Sequence, residues 1–191
     1  PKPSSAASDV YKRQILNRVS ARNLIQPHPD KNELEIVYKA ALRAPDHAWL
    51  RPSRFIEVSD EGISKLSSIF EEYSQTIDDM SPEVAEKYKN APYRAPMIII
   101  LINSYKEHPK VPAIEQKLST AAAAQNIMLA LNAMKYSAIW RTGKLAFNRF
   151  VSNKLGLDNT EEILGYLYVG TSDGKNKKVP ELDIDNFVSR L

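Results

Sequence analysis

Residues 96–102 read Pro-Met-Ile-Ile-Ile-Leu-Ile, and this stretch decides the architecture. Six consecutive apolar side chains after a proline are far too few to cross a bilayer. They also do not alternate, so the segment is not a strand with one wet face. The simplest reading is a strand buried on both faces, which requires covering layers above and below its sheet. A second run of the same kind, 163–169 (Ile-Leu-Gly-Tyr-Leu-Tyr-Val), supplies a companion strand.

Working outward, the flanks supply the layers. Upstream, Ser81-Pro82-Glu83 is a helix start, with a serine N-cap, proline in the first turn and an acid at the positive dipole end. Ile63, Leu66, Ile69, Phe70 and Tyr73 form one stripe of a helix from about Glu61 to Thr76. Phe55–Val58 reads as a short strand. Asp30-Lys-Asn-Glu33 opens a helix with a capping box, expected to stop near Ala44-Pro45 because a residue before proline avoids the α region. Downstream, a long helix is expected from about Pro112 to Lys135. Its small-residue centre, Ala121–Ala124, suits deep packing or a subunit contact. A strand at Ser137–Arg141 and a short helix at Phe147–Leu155 follow. These elements give an α+β layered architecture around one sheet.

The chain has 191 residues, 43% hydrophobic and 26% charged, with a net charge of +3. That length suits one domain, expected to span 15–191. Residues 1–14, PKPSSAASDVYKRQ, lack periodic apolar positions and are expected to be a non-native or disordered leader. Cysteine is absent, which removes disulfides, thiolate metal sites and cysteine nucleophiles and suits a cytoplasmic location. No signal peptide or membrane span is visible. The mild basicity fits an anionic small molecule. With no block of like charge and no aromatics interleaved in a basic stripe, nucleic acid is the weaker partner.

Several chemistries drop out. There is no Gly-x-Gly-x-x-Gly, no Walker-type loop and no Gly-x-Ser-x-Gly, and the histidines at 28, 47 and 108 lack metal-ligand spacing. What remains is a set of arginines beside small hydroxyls. Arg18-Val-Ser20-Ala-Arg22 places two guanidinium forks around a hydroxyl, a donor set that matches phosphate oxygens. Taken alone, a solvated basic turn is the plainer reading. Arg43 and His47 flank Ala44-Pro45-Asp46, where a surface loop is the plainer reading. Trp140-Arg141-Thr142-Gly143 ends a strand, a position open to a ligand, although Trp140 by itself is a core aromatic. Arg54 is a charged position outside these clusters.

In order along the chain, these motifs are joined by Asn90-Ala-Pro-Tyr-Arg-Ala-Pro96, by Lys110-Val-Pro112 with Glu115-Gln116, and by Gly165-Tyr-Leu-Tyr-Val-Gly-Thr171. The series resembles the nitroreductase family, most closely its compact NAD(P)H nitroreductase branch, from Ile15 to about Val188. The resemblance implies a nitroreductase-like α+β fold with a central mixed or antiparallel sheet flanked by helices. It also implies a homodimer with FMN sites shared between subunits. On it, Arg18, Ser20 and Arg22 hold the FMN phosphate and ribityl end. Trp140, Arg141 and Thr142 contact the cofactor from the strand end, and Arg43 and His47 reach the cofactor of the partner subunit. NAD(P)H is the implied electron donor and a nitroaromatic, quinone or similar small molecule the acceptor. The flavin carries the chemistry, so no side chain is singled out as catalytic.

Three stretches depart from the family pattern. Val19 replaces a second basic residue, Arg51-Pro-Ser-Arg-Phe55 stands for Gln-Pro-Trp-x-Phe, and Lys135–Ala138 lacks the usual glycines. The alternative function is a flavin-binding protein with a different flavin role. A cofactor-free structural or nucleic-acid-binding protein rests on the basic pI alone.

Overall fold

The apolar run at 97–102 lies inside a five-stranded antiparallel sheet. The computed structural model describes residues 5–174 and 178–191. In chain order the elements are α1 (Ser5–Leu16), β1 (Leu24–Ile25), α2 (Lys31–Ala41), β2 (Ser53–Ser59), α3 (Glu61–Gln75), α4 (Pro82–Lys89), β3 (Met97–Ser104), α5 (Ala113–Ala133), β4 (Ser137–Arg141), α6 (Arg149–Lys154) and β5 (Glu161–Ser172). Short 3-10 turns occupy His47–Trp49, Pro92–Arg94 and Ile184–Asn186.

β3 runs between β2 and β5, and every residue from Met97 to Asn103 is buried. The reason is visible in the two faces. Met97, Ile99 and Leu101 pack with Leu167 and Val169 against Val37 and Ala41 of α2 and Ala124, Ile127 and Leu131 of α5. Ile98, Ile100 and Ile102 pack the other way, with Tyr166 and Tyr168, against Ile63, Leu66 and Phe70 of α3 and Val151 of α6. Helices on both faces leave no position for a polar residue between Met97 and Ile102. β5 pairs with β3 along one edge, while β4 and β1 share its other edge.

Local signals set the helix starts. Asp30 accepts from the Glu33 backbone N–H while the Asp30 N–H donates to the Glu33 carboxylate, each at 2.9 Å, closing the capping box of α2. Such a cap contributes about 1 kcal/mol. Ser81 caps α4 by accepting from the Val84 N–H.

The expected elements are all present, with shifted ends. α2 closes at Ala41, three residues before the Ala44-Pro45 stop. α6 begins at Arg149 rather than Phe147, because the Asn148 side chain accepts from the Phe150 N–H and acts as the cap. The boundary expected between residues 14 and 15 falls inside α1, whose last turn is tied to α5 by Asn132 Nδ2 donating to the Gln14 carbonyl at 2.8 Å. The two-residue β1 has no signal in the sequence. Among the described residues the sheet ladders are antiparallel, and a parallel bridge joins Ser20 and Ala138.

Candidate functional site

That bridge builds the site. It lays the segment after α1 along the free edge of β4, with the Ala21 N–H donating to the Ala138 carbonyl at 3.4 Å. Two residues beyond Ser20 the chain bends away, and the exposed Arg22 remains near enough for its charge to act on Arg141.

The end of β4 is shaped by a bulge in its neighbour. On β5, Gly165 pairs with Leu101 and Ile163 with Ile102, leaving Leu164 as an extra residue. The freed Leu164 carbonyl accepts the Trp140 indole N–H at 3.3 Å. Gly165, at φ +151°, leaves room for that indole: a Cβ there would lie 2.1 Å from Trp140 Nε1 and 2.8 Å from the Arg141 carbonyl. Trp140 is therefore wedged against β5, and the strand end that carries Arg141, Thr142 and Gly143 is fixed.

Arg141 is half-buried. Its guanidinium lies over the Tyr168 ring, 5.5 Å from the ring centre, and its Nε is buried without a hydrogen-bond partner. Burial lowers its pKa, and the nearby charges of Arg94 and Arg22 lower it further, while Tyr168 opposes them. Burial likewise raises Tyr168, against the pull of Arg94 and Arg141. Arg94 ends the 3-10 turn just before β3, whose Ile98 pairs with Tyr168.

Other arginines behave differently. Arg54 forms a two-pronged ion pair with the buried Glu161 at 2.6 and 2.9 Å. Arg149 donates to the Glu161 and Asp158 carbonyls and to Asn159. Among the described residues, no carboxylate pairs with Arg22, Arg94 or Arg141. A buried guanidinium nitrogen without an acceptor, with other arginines near it, suits an anion brought from outside. The donor set thus fits a phosphate-bearing cofactor.

The structure brings Ser20 beside β4 and Arg22 near Arg141, with half-buried Arg18 at the head of the same segment; Trp140 packs on the α5 side of the sheet, away from the face where Arg141 covers Tyr168, and Thr142 follows at the strand end. Arg43 and His47 stand apart from them. Arg43 lines a groove with Tyr11 and Ile15 of α1 and Leu129 and Ala133 of α5. His47 is exposed and hydrogen-bonds Glu115 at 2.5 Å, just before the left-handed residues Ala48, Trp49 and Arg51. The residue that sequence reasoning passed over is Arg94. Its signal was present, an arginine between two prolines leading into the buried strand, but only the fold brings it to Tyr168. Among the described residues no cluster could hold a metal ion, and no helix is long and apolar enough to cross a membrane.

Comparison with known proteins accords with this geometry. A profile of the nitroreductase family matches residues 15–171. The chain is similar to the Escherichia coli K12 protein named "Putative NAD(P)H nitroreductase YdjA", with 34% identity over 159 residues, 82% of this chain and 85% of that one. A Haemophilus influenzae protein, "Putative NAD(P)H nitroreductase", is 29% identical over 180 residues, 93% of this chain and 97% of its own. Among solved structures, a nitroreductase-like family protein from Bacillus cereus superposes with a TM-score of 0.82 at 20% identity, covering 95% of each chain. NfnB of sphigopyxis sp. strain HMH, described as an FMN and NADPH-dependent nitroreductase, superposes with a TM-score of 0.74 at 17% identity, covering 95% of this chain and 98% of its own.

Proposed function

The chain belongs to the nitroreductase family, and from that premise we propose that it is an FMN-dependent oxidoreductase taking hydride from NAD(P)H. Its acceptors are nitroaromatics, quinones or similar small molecules, reduced in a two-step exchange. The observation that carries this reading is the buried, partnerless Arg141 Nε among like charges, which calls for an anionic ligand at the end of β4. The names of the related E. coli and H. influenzae proteins and the description of NfnB supply the class of that ligand and of the electron donor.

In this reading Arg18, Ser20 and Arg22 hold the phosphate and ribityl end of FMN, and Trp140, Arg141 and Thr142 hold it from the strand end. Bound there, the flavin supplies the hydride exchange between nicotinamide and acceptor. The protein's part is positional and electrostatic. The wedge of Trp140 against Gly165 fixes where Arg141 stands, and the guanidinium groups offset negative charge that a low-dielectric pocket would otherwise penalise.

Arg43 and His47 lie away from this group, and we assign them to the cofactor of a second subunit in a homodimer. The outer side of α5 supports that assembly. Ile114 and Leu118, one turn apart, are 58% and 61% exposed, and Trp49 is 77% exposed. Such an apolar surface suits coverage by a second copy.

The test is purification under native conditions, with an absorption spectrum taken before and after NADPH and then with an acceptor panel. Flavin absorbance that bleaches with NADPH and recovers with an acceptor supports the reading. Bound flavin that neither nicotinamide reduces favours a different flavin role.

A further inference from the structure

We infer that the cleft between the end of α2 and the loop 46–51 binds a single aromatic ring that carries an anionic group. Arg43, Asp46, Trp49 and Arg51 line it with the apolar Leu42 and Pro45, around a volume of about 220 Å³. That is below the roughly 300–1,000 Å³ of a drug-sized pocket, so one ring fits and a dinucleotide does not. Trp49 is 77% exposed, yet the loop that carries it is held at many points. Ala48, Trp49 and Arg51 all lie in the left-handed region, at φ 56°, 55° and 53°, which residues with a Cβ rarely adopt. The Asp46 carboxylate accepts from the Leu50 and Arg51 N–H groups at 3.1 and 2.9 Å, and Lys106 Nζ donates to the carbonyls of the same two residues at 2.6 and 3.2 Å. From α5, Ser119 Oγ donates to the Pro45 carbonyl at 2.7 Å and Glu115 hydrogen-bonds His47. Such strain persists only where the surroundings over-determine it, and ligand clamps are a common place for it. A large aromatic left in the open on so constrained a loop is placed to meet a ring.

The lining sets the chemistry of the ligand. The Arg51 guanidinium lies over the indole, 5.0 Å from the ring centre, and the exposure of Trp49 leaves its other ring face for an aromatic ligand. Two guanidinium groups stand against one carboxylate. Asp46 already accepts from two backbone N–H groups, its contact with the Arg51 guanidinium is a loose 3.9 Å, and among the described residues no carboxylate pairs with Arg43. The excess positive charge favours a ring bearing a carboxylate, which a guanidinium fork can bind at both oxygens. His47, two residues before Trp49, is assigned above to the flavin of a second subunit, so the ligand expected here is the electron acceptor, an aromatic acid in preference to a neutral ring. That identification rests on the flavin reading, whereas binding in the cleft does not.

Calorimetric titration of the purified protein, without nicotinamide, with para-nitrobenzoate and with the uncharged para-nitrobenzamide tests this. Wild type should take the acid about tenfold more tightly than the amide. Arg51→Gln should weaken the acid about tenfold and leave the amide nearly unchanged. Trp49→Leu should weaken both ligands alike, about twofold to tenfold, and Trp49→Phe should recover part of that loss. Trp49 is exposed, so its variants keep the test open whatever Arg51→Gln does to folding. Equal affinity for acid and amide overturns the inference, as does binding that neither Arg51→Gln nor Trp49→Leu alters. Either result leaves the flavin reading intact if NADPH still bleaches a bound flavin. Tighter binding of adenosine bisphosphate than of para-nitrobenzoate, lost in Trp49→Leu, also overturns it, because the cleft would then hold the nucleotide end of the electron donor. If the acid binds through Trp49 and Arg51 in a protein that takes no flavin, the cleft stands and the flavin reading fails.

Discussion

Arg54 and Arg141 carry the same guanidinium in opposite circumstances. Arg54 is bound at both prongs by Glu161, whose side chain is only 10% exposed, whereas Arg141 has a buried nitrogen with no acceptor. Removing Arg54 strands a buried carboxylate, so Arg54→Ala should cost about 2 kcal/mol, between the exposed-pair and buried-pair limits. Urea unfolding checks this, and FMN affinity of the folded protein should be unchanged. Arg18→Ala should instead leave stability nearly unaltered and weaken FMN about tenfold to a hundredfold, by fluorescence titration of the apo-protein. Gly165→Ala forces a Cβ into the Trp140 indole and the Arg141 carbonyl at a positive φ, an overpacking cost of about 3 kcal/mol. It should lower the melting temperature and the flavin content together. The sequence alone could not sort these arginines. Residue type says that a guanidinium seeks an anion, and only the fold shows that Arg54 has found one while Arg141 keeps a buried nitrogen without a partner among the described residues.

Two helices end in the same way with different residues. α6 closes with Gly156 in the left-handed region at φ 75°, where the Gly156 N–H donates to the Asn153 carbonyl and the Leu157 N–H to the Ser152 carbonyl. α5 closes identically. The Lys135 N–H donates to Asn132 and the Tyr136 N–H to Leu131, but Lys135 holds the left-handed position at φ 67°. This is the paired-bond helix stop that glycine favours. Lys135→Gly should therefore stabilise the protein by about 0.5–1 kcal/mol, and Gly156→Ala should destabilise it by about 1 kcal/mol, both by thermal melts. Elements with strong local chemistry were legible: the capping box of α2, the Ser-Pro-Glu start of α4 and the unbroken apolar run of β3. Bounds shifted where a tertiary hydrogen bond or a side-chain cap decided the end, as at Asn148. β1 was invisible because two residues carry no periodicity.

At the scale of the whole molecule, the doubly covered sheet sets distant segments side by side: 18–22 bridges β4 at Ala138, and 90–96 leads into β3 across β5. Ile114 and Leu118 on α5 are exposed, and the proposed homodimer would cover them. Light scattering should give a dimer, and Leu118→Asp should shift it toward monomer with loss of bound flavin, because Arg43 and His47 would no longer reach the partner's cofactor. A flavin-loaded monomer would refute the shared site. The family resemblance was legible from motif order, whereas the nearness of Arg94 to Tyr168 and Arg141 required the fold. The most direct measurement of the central claim is the absorption spectrum of the purified protein, recorded before and after NADPH is added without oxygen. The account predicts flavin absorbance that is lost on reduction. A colourless protein that also takes up no FMN from solution would contradict it.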